Sequence, residues 1–436
     1  MGDDNFEDSE SLLDSPRVTK TRKPSLDKTK PVQIIVRDPN DFHKFRLNEE
    51  ALEAILTTDE KKSHQPICVL SVAGAFRKGK SFLINLFMNY LKNETLTDEI
   101  EMLFTWRGGA TRDTTGILAW PELFTIKRNG QEMSLLILDT QGTFDEESTV
   151  RDNATIFALS CMTSSKIIYN ISQQIQEDDL QHLELFTNYG ELALESGQAK
   201  PFQTLTFLVR DWQVPYEFLY GRDKASEADP EYEITVSGNE YLRRKLIVKE
   251  GQHEDLANVR EHVRDCFEKT ECFLLPHPGL AVASNPKFHG QTKMIEKVFL
   301  EQTKSMFEKI YAEIQPKKVD GQVITSSQLL HFFKMYAKIF DEEDLPEPKS
   351  MLLATAEATL LSLHSDFSRQ FDDEMKKKMA ENGRAFSSSE FQQLSETQKG
   401  IVLTKFDTIK KLGTEELIGR FRNWQILRII FSKTVG

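Results

Sequence analysis

Ile67-Cys68-Val69-Leu70-Ser71-Val72-Ala73-Gly74-Ala75-Phe76-Arg77-Lys78-Gly79-Lys80-Ser81 decides the fold. Its last eight residues fit the G-x-x-x-x-G-K-[ST] phosphate-binding loop at every fixed position. The flanks supply the context that the motif needs. Ile67 to Val72 reads as a buried strand, and Ser81 to Met88 as the helix that follows. Glycines let the backbone wrap close to an anion, and N–H groups at a helix N-terminus face it. Gly74, Lys78, Gly79 and the first turn through Phe82 are therefore expected to line a nucleotide triphosphate. Lys80 is expected to reach the β/γ-phosphates, and the Ser81 hydroxyl to hold Mg²⁺.

Working outward, further apolar runs at 32–36, 134–138, 166–171, 204–209 and 272–275 read as strands, with helical stretches such as 178–194 and 255–267 between them. That alternation predicts an α/β fold, a P-loop domain with a mostly parallel sheet covered by helices. From about residue 292 the pattern turns helical and strands are expected to stop. Pro346 and Pro348 interrupt it. Beyond them apolar residues recur at helical spacing, and helices over 388–411 and 414–432 predict an all-α three-helix bundle. The expected organisation is a disordered tail at 1–31, a G domain at 32–312, a helical linker at 313–346 and the bundle at 347–436. The tail is rich in Ser, Asp, Lys and Pro and buries too little apolar surface to order itself.

The 436-residue chain carries a net charge of −13, which argues against nucleic acid as a partner. Its four cysteines show no C-x-x-C spacing, so a zinc site is not expected and a reducing, cytosol-facing compartment fits. The N-terminus is acidic and is no signal peptide, and no run is long and apolar enough to span a bilayer.

A triphosphatase needs more than a phosphate loop. Leu135 to Leu138 leads into Asp139-Thr140-Gln141-Gly142, a D-x-x-G element after another apolar strand. Asp139 is expected to reach Mg²⁺, and the Gly142 N–H the γ-phosphate. Between the two motifs lies the polar stretch from Trp106 to Gly116. There Thr114 is the first choice for a ligand of Mg²⁺ and a γ-phosphate sensor, with Thr115 the runner-up. For the base, Thr404-Lys405-Phe406-Asp407 has the T-K-x-D form that would signal guanine. However, it sits far downstream, with apolar residues at 402, 406, 409 and 412, which is helical spacing. It is read as a core helix face. Arg210-Asp211, ending the 204–209 strand, is the better reader: Asp211 for the guanine edge, Arg210 packed against the base. Arg77 is a further cation within the loop, either solvent-facing beside Lys78 or an arginine finger supplied in cis.

These motifs, together with Trp106-Arg107-Gly108-Gly109, the run from Gln176 to Leu183, Val209 to Trp212, Pro276-His277-Pro278-Gly279-Leu280 and Pro348-Lys349-Ser350-Met351, resemble the atlastins. These are dynamin-superfamily GTPases with a guanylate-binding-protein-type G domain. The resemblance spans roughly residues 32 to 420 and implies GTP/GDP and Mg²⁺ as cofactors. It also implies a GTP-dependent homodimer through the G domain, and fusion of endoplasmic reticulum membranes from their cytosolic face as the bundles swing and zip together. The family's finger falls on Arg77, its switch threonine on Thr114 and its guanine aspartate on Asp211. Atlastins continue into a transmembrane hairpin, which is not seen before Gly436. Anchoring is thus implied by the family and not by these residues. The alternatives are a soluble guanylate-binding-type GTPase and an anchor-less regulatory form that dimerises without fusing membranes. The apolar, basic stretch from 419 to 433 is expected either to complete the bundle core or to lie on an anionic membrane surface.

Overall fold

The computed structural model describes residues 26–422, apart from 42–43, 76–77, 105–114, 143–148, 184–191, 196–199, 226, 228, 230, 232, 286, 341–345 and 385. Arg77, Thr114, most of the N-terminal tail and the stretch from 423 onward therefore lie outside the described residues.

Among the described residues a nine-stranded sheet carries the chain. In sequence order its strands are β1 (Val32–Arg37), β2 (Phe45–Leu47), β3 (Ile67–Gly74), β4 (Ile117–Ala119), β5 (Phe124–Arg128), β6 (Gln131–Thr140), β7 (Lys166–Ser172), β8 (Phe202–Arg210) and β9 (Phe267–Leu274). The spatial order is β2-β1-β4-β6-β3-β7-β8-β9, with β5 beside the first half of β6. The ladders β6–β3, β3–β7, β7–β8 and β8–β9 are parallel. Both faces of β3, of β7 and of the second half of β6 are covered, and these stretches are mostly apolar, whereas the edge strand β9 exposes Glu268 and Lys269. Ile67, Val69 and Ala73 face one core cluster, while Cys68, Leu70 and Val72 face the other. The period-2 alternation thus splits a single apolar run between two cores.

The expected parallel sheet has an antiparallel extension that the sequence pattern does not reveal. β4 and β5 pair antiparallel with the two halves of β6, and β1 and β2 close that side. β5 and β6 are joined by Asn129-Gly130, both at positive φ (51° and 77°), which is the geometry of a tight hairpin. Past residue 292, where the sequence pattern predicts helix alone, the chain also forms strands. Lys318–Val319 and Gln322–Val323 form a small hairpin about Asp320-Gly321.

The Lys80–Asn93 and Lys297–Glu313 helices cover one face. The Glu49–Thr57, Val150–Thr163, Gly238–Lys245, Glu254–Cys266 and Ser326–Phe340 helices pack into the other cluster. The Ser326–Phe340 helix buries Leu329, Phe332, Phe333 and Tyr336 there. A single 34-residue helix, Pro348–Glu381, then begins with Pro348 in its first turn, where a missing N–H costs nothing. Its early residues Met351, Ala354 and Ala358 join the sheet-side core. Its later ones, Leu360, Phe367, Phe371 and Met375, form a separate core with Val402, Phe406 and Phe421. The Ser388–Thr408 helix opens on a capping box between Ser387 and Glu390. Residues 415–422 are helical again.

Candidate nucleotide site

β3 ends at Gly74, where φ is 133° and an added Cβ would lie 2.2 Å from the Asn170 carbonyl oxygen on β7. Only glycine fits, so the loop leaves the sheet pressed against its neighbour strand. Asn170 holds it there: Nδ2 donates to the Lys78 carbonyl at 2.9 Å. Lys78 itself is exposed. Gly79 opens the Lys80–Asn93 helix with no side chain to cap it. The N–H groups of the first turn, Phe82 included, are thus left for an outside acceptor. The Phe82 ring is core, stacked on Phe299 and edge-on to Phe288. Only its backbone is therefore available to a ligand. Lys80 is buried, and its Nζ donates to the Ala75 carbonyl at 3.1 Å, folding the ammonium over the loop's own bend.

β6 lies beside β3 with Asp139 in register with Val72, so the D-x-x-G element arrives at the foot of the helix. Ser81 Oγ donates to Asp139 Oδ2 at 2.6 Å. Asp139 is fully enclosed and its Oδ1 has no partner. Burial pushes its carboxyl up to about 6, against the pull of the Ser81 hydroxyl and the Lys80 ammonium. An enclosed carboxylate with one oxygen unmatched, touching a hydroxyl, is a set of hard oxygen donors. It fits a small divalent cation such as Mg²⁺. Three more buried atoms without partners, Asn170 Oδ1, Gln141 Nε2 and Arg210 Nε, belong to residues at the same strand ends. Ligands of open α/β sheets bind at that carboxyl edge, where the strand order switches direction.

The guanylate-binding protein N-terminal domain matches residues 42–319. Atlastin-2 from Homo sapiens is 43% identical over 429 residues, covering 96% of this chain and 70% of that protein. Atlastin-1 from Bos taurus is 44% identical over 403 residues, covering 90% of this chain and 69% of its own length. Atlastin-2 from Macaca fascicularis is 43% identical over 429 residues, with 96% and 72% covered.

The chain belongs to the atlastin family. It is a GTPase of the dynamin superfamily, and its G domain is of the guanylate-binding type.

In this atlastin-family site the base side is built at the end of β8. Asp211 is half-buried and holds a positive φ of 57°, a conformation that non-glycine residues adopt rarely and that clusters at functional sites. The loop after it is fixed by Trp212. The Trp212 backbone N–H donates to Leu275 O at 3.0 Å, its indole N–H donates to Phe218 O at 2.9 Å, and its ring meets Tyr241 edge-on. Arg210, expected against the base, is turned toward the phosphate loop. Its guanidinium lies over the Phe299 ring at 5.4 Å and donates to Gly79 O at 3.3 Å. The reason is alternation: Leu208 and Arg210 face the Lys297–Glu313 helix, while Val209 faces the opposite core. Burial lowers the Arg210 pKa, with the neighbouring Asp211 pulling the other way.

Gly142 is buried just past the end of β6. The Thr115 carbonyl and hydroxyl both accept from Gln33 Nε2, so this threonine is turned onto β1. Thr404 to Asp407 lie within the Ser388–Thr408 helix, whose core is separate from the two clusters that flank the sheet. Phe406 is core there, and Asp407 makes a paired contact with Arg422 at 2.9 Å on each oxygen. Sequence reasoning assigned no role to Asn170 or Phe299. The one available signal was a polar Asn ending an apolar strand; Phe299 gave none.

Proposed function

We propose that this chain binds GTP at the Gly74–Ser81 loop, hydrolyses it with Mg²⁺, pairs through its G domain, and thereby draws endoplasmic reticulum membranes together from their cytosolic side. The observation that carries the hydrolytic reading is the enclosed Ser81–Asp139 contact, with Asp139 Oδ1 unmatched beside Lys80. Ser81, Asp139 and Thr114 would hold the cation, which neutralises charge on the β/γ-phosphate oxygens when bound. The chain's own residues do the rest. Uncapped N–H groups at Lys80, Ser81 and Phe82 receive phosphate oxygens, and the Lys80 ammonium leaves Ala75 O for a stronger acceptor. Asp139, ionised, takes the Ser81 proton donor or the cation. Gly142 offers its N–H to the γ-phosphate. Arg77 supplies positive charge as the terminal phosphate departs, and Asp211 accepts from the guanine N1–H and exocyclic amine.

The membrane role rests on family membership alone. In that reading 32–312 is the G domain, Pro346 and Pro348 bracket the swing point, and the helices from 347 onward are the moving arm. The test uses the full chain, tethered to vesicles of phosphatidylcholine and phosphatidylserine. The expected result is GTP-dependent dimerisation by light scattering, followed by lipid mixing. A chain that hydrolyses GTP and dimerises yet never mixes lipids when tethered would sink the fusion reading and leave the GTPase intact.

A further inference from the structure

A side chain of β1 holds Thr115, and the Asp139–Gly142 element holds the next residue, Gly116. β1 pairs with β4 in a register that slips between Gln33 and Ile35, leaving Ile34 as the extra residue of a bulge. Bulges next to active sites commonly re-aim a side chain. Here the Gln33 carboxamide donates to the Thr115 carbonyl at 2.7 Å and to the Thr115 hydroxyl at 2.8 Å. The bulge is pinned from behind, since Asn48 Nδ2 donates to Gln33 O and the Asn48 N–H donates to Ile34 O. The next residue is held from the other side. Gly116 N–H donates to Gln141 Oε1 at 2.8 Å, and Gly116 O accepts from the Gln141 N–H at 2.8 Å. Gly116 also sits so close to β1 that an added Cβ would lie 1.9 Å from Ile35 O. Two consecutive residues are thus locked between β1 and the Asp139–Gly142 element.

The geometry points to Gln33 as a positioning residue for GTP hydrolysis. Its amide fixes Thr115, directly after Thr114, while the Gln141 side chain holds Gly116, the next residue. This rests on the reading above that Thr114 is a cation ligand. The β-ladder alone explains neither bond, because both run from a side chain, and one ends on a hydroxyl. Two hydrogen bonds are modest in stability, but small misplacements of reacting groups are costly in rate.

The test uses the full chain, with Gln33→Met to keep bulk and Gln33→Glu to keep shape while removing the donor. For both variants the expected result is a single-turnover rate about tenfold lower and a Mg²⁺ half-saturation raised severalfold, with GDP affinity unchanged within about twofold. Thr115→Val removes only the hydroxyl contact and should lower the rate by a smaller factor. Combined with Gln33→Met it should add nothing, because both act through one contact. Unchanged rates in Gln33→Glu overturn the proposal, as does a loss of GDP affinity in step with the rate, which a merely structural role produces. If Gln33→Met fails to fold, the Thr115→Val and Gln33→Glu arms decide. Thr114→Ala run in parallel separates the readings. An unchanged Mg²⁺ titration there removes Thr114 as a ligand, and a lost one alongside a normal Gln33→Glu removes Gln33 alone.

Discussion

Arg210-Asp211 and Thr404-Lys405-Phe406-Asp407 both end in an aspartate after apolar residues, and the latter is closer in form to a guanine reader. The folded chain gives them opposite surroundings. Asp211 directly follows the parallel strand β8 at a positive φ, beside an edge where four buried polar atoms lack partners. Asp407 lies on a helix whose inner face is filled by Val402 and Phe406, and its carboxylate is matched by Arg422 in solvent. A buried polar atom left unmatched is costly, so a cluster of them at one edge marks a place meant for something else. A matched surface pair marks nothing of the kind. A four-letter motif therefore takes its meaning from the element that carries it.

The largest effect should come from the loop on the Asp211 side. Arg77→Ala is expected to leave GTP affinity largely intact and lower the single-turnover rate by roughly a hundredfold or more. An unchanged rate would strip the loop of its cis finger and leave it a phosphate cradle only.

Asp139 sharpens the contrast through pH. Its carboxyl is raised to about 6 by burial, above its value in the unfolded chain. Between the two values the folded protein holds a proton that the unfolded protein has lost, so stability falls as pH rises through that window. The penalty above pH 6 is on the order of 3 kcal/mol. A cation at this carboxylate favours the ionised form and offsets that penalty. In the GDP-loaded chain, Mg²⁺ affinity should therefore fall by about tenfold per pH unit below about pH 6. Calorimetric Mg²⁺ titrations between pH 5 and 7 with a flat affinity would contradict the assignment of Asp139 as a ligand. Asp407, whose carboxyl is held low by Arg422, predicts no such dependence.

The base reader comes next. Asp211→Asn inverts hydrogen-bond polarity and should weaken GTP by about ten- to a hundredfold while favouring xanthosine triphosphate. Competition binding with the two nucleotides measures it directly. A ratio that does not move would place base recognition elsewhere along the β8–β9 edge.

Much of this was legible because the parallel strands announce themselves. β3, β6, β7 and β8 are buried over most of their length and each carries a mostly apolar stretch, and the phosphate loop has fixed positions on both sides of its glycines. The antiparallel extension was not legible, because β4 is three residues long and β2 is no longer. Asn129-Gly130 could have given away the β5–β6 hairpin, since that pair is a strong turn signal between alternating runs. The site's supporting contacts were hidden for a different reason. Asn170 to Lys78, Gln33 to Thr115 and Arg210 over Phe299 are contacts between residues far apart in sequence. They follow from which strands lie side by side, and the fixed motif positions do not encode that order.

The smallest expected effect is the one that tests the contrast from the other end. Asp407→Asn removes the charge that Arg422 matches, but both side chains are roughly half-exposed, and such pairs contribute little in water. Phe406, Val402 and Phe421 still fill the core beneath, so the helix keeps its footing. Thermal unfolding should shift by no more than roughly 2 °C, and the ratio of GTP to xanthosine triphosphate affinity should not change at all. If that ratio moved with Asp407 and stayed fixed with Asp211, the helix would be reading the base. The unmatched atoms at the sheet edge would then need another ligand to explain them.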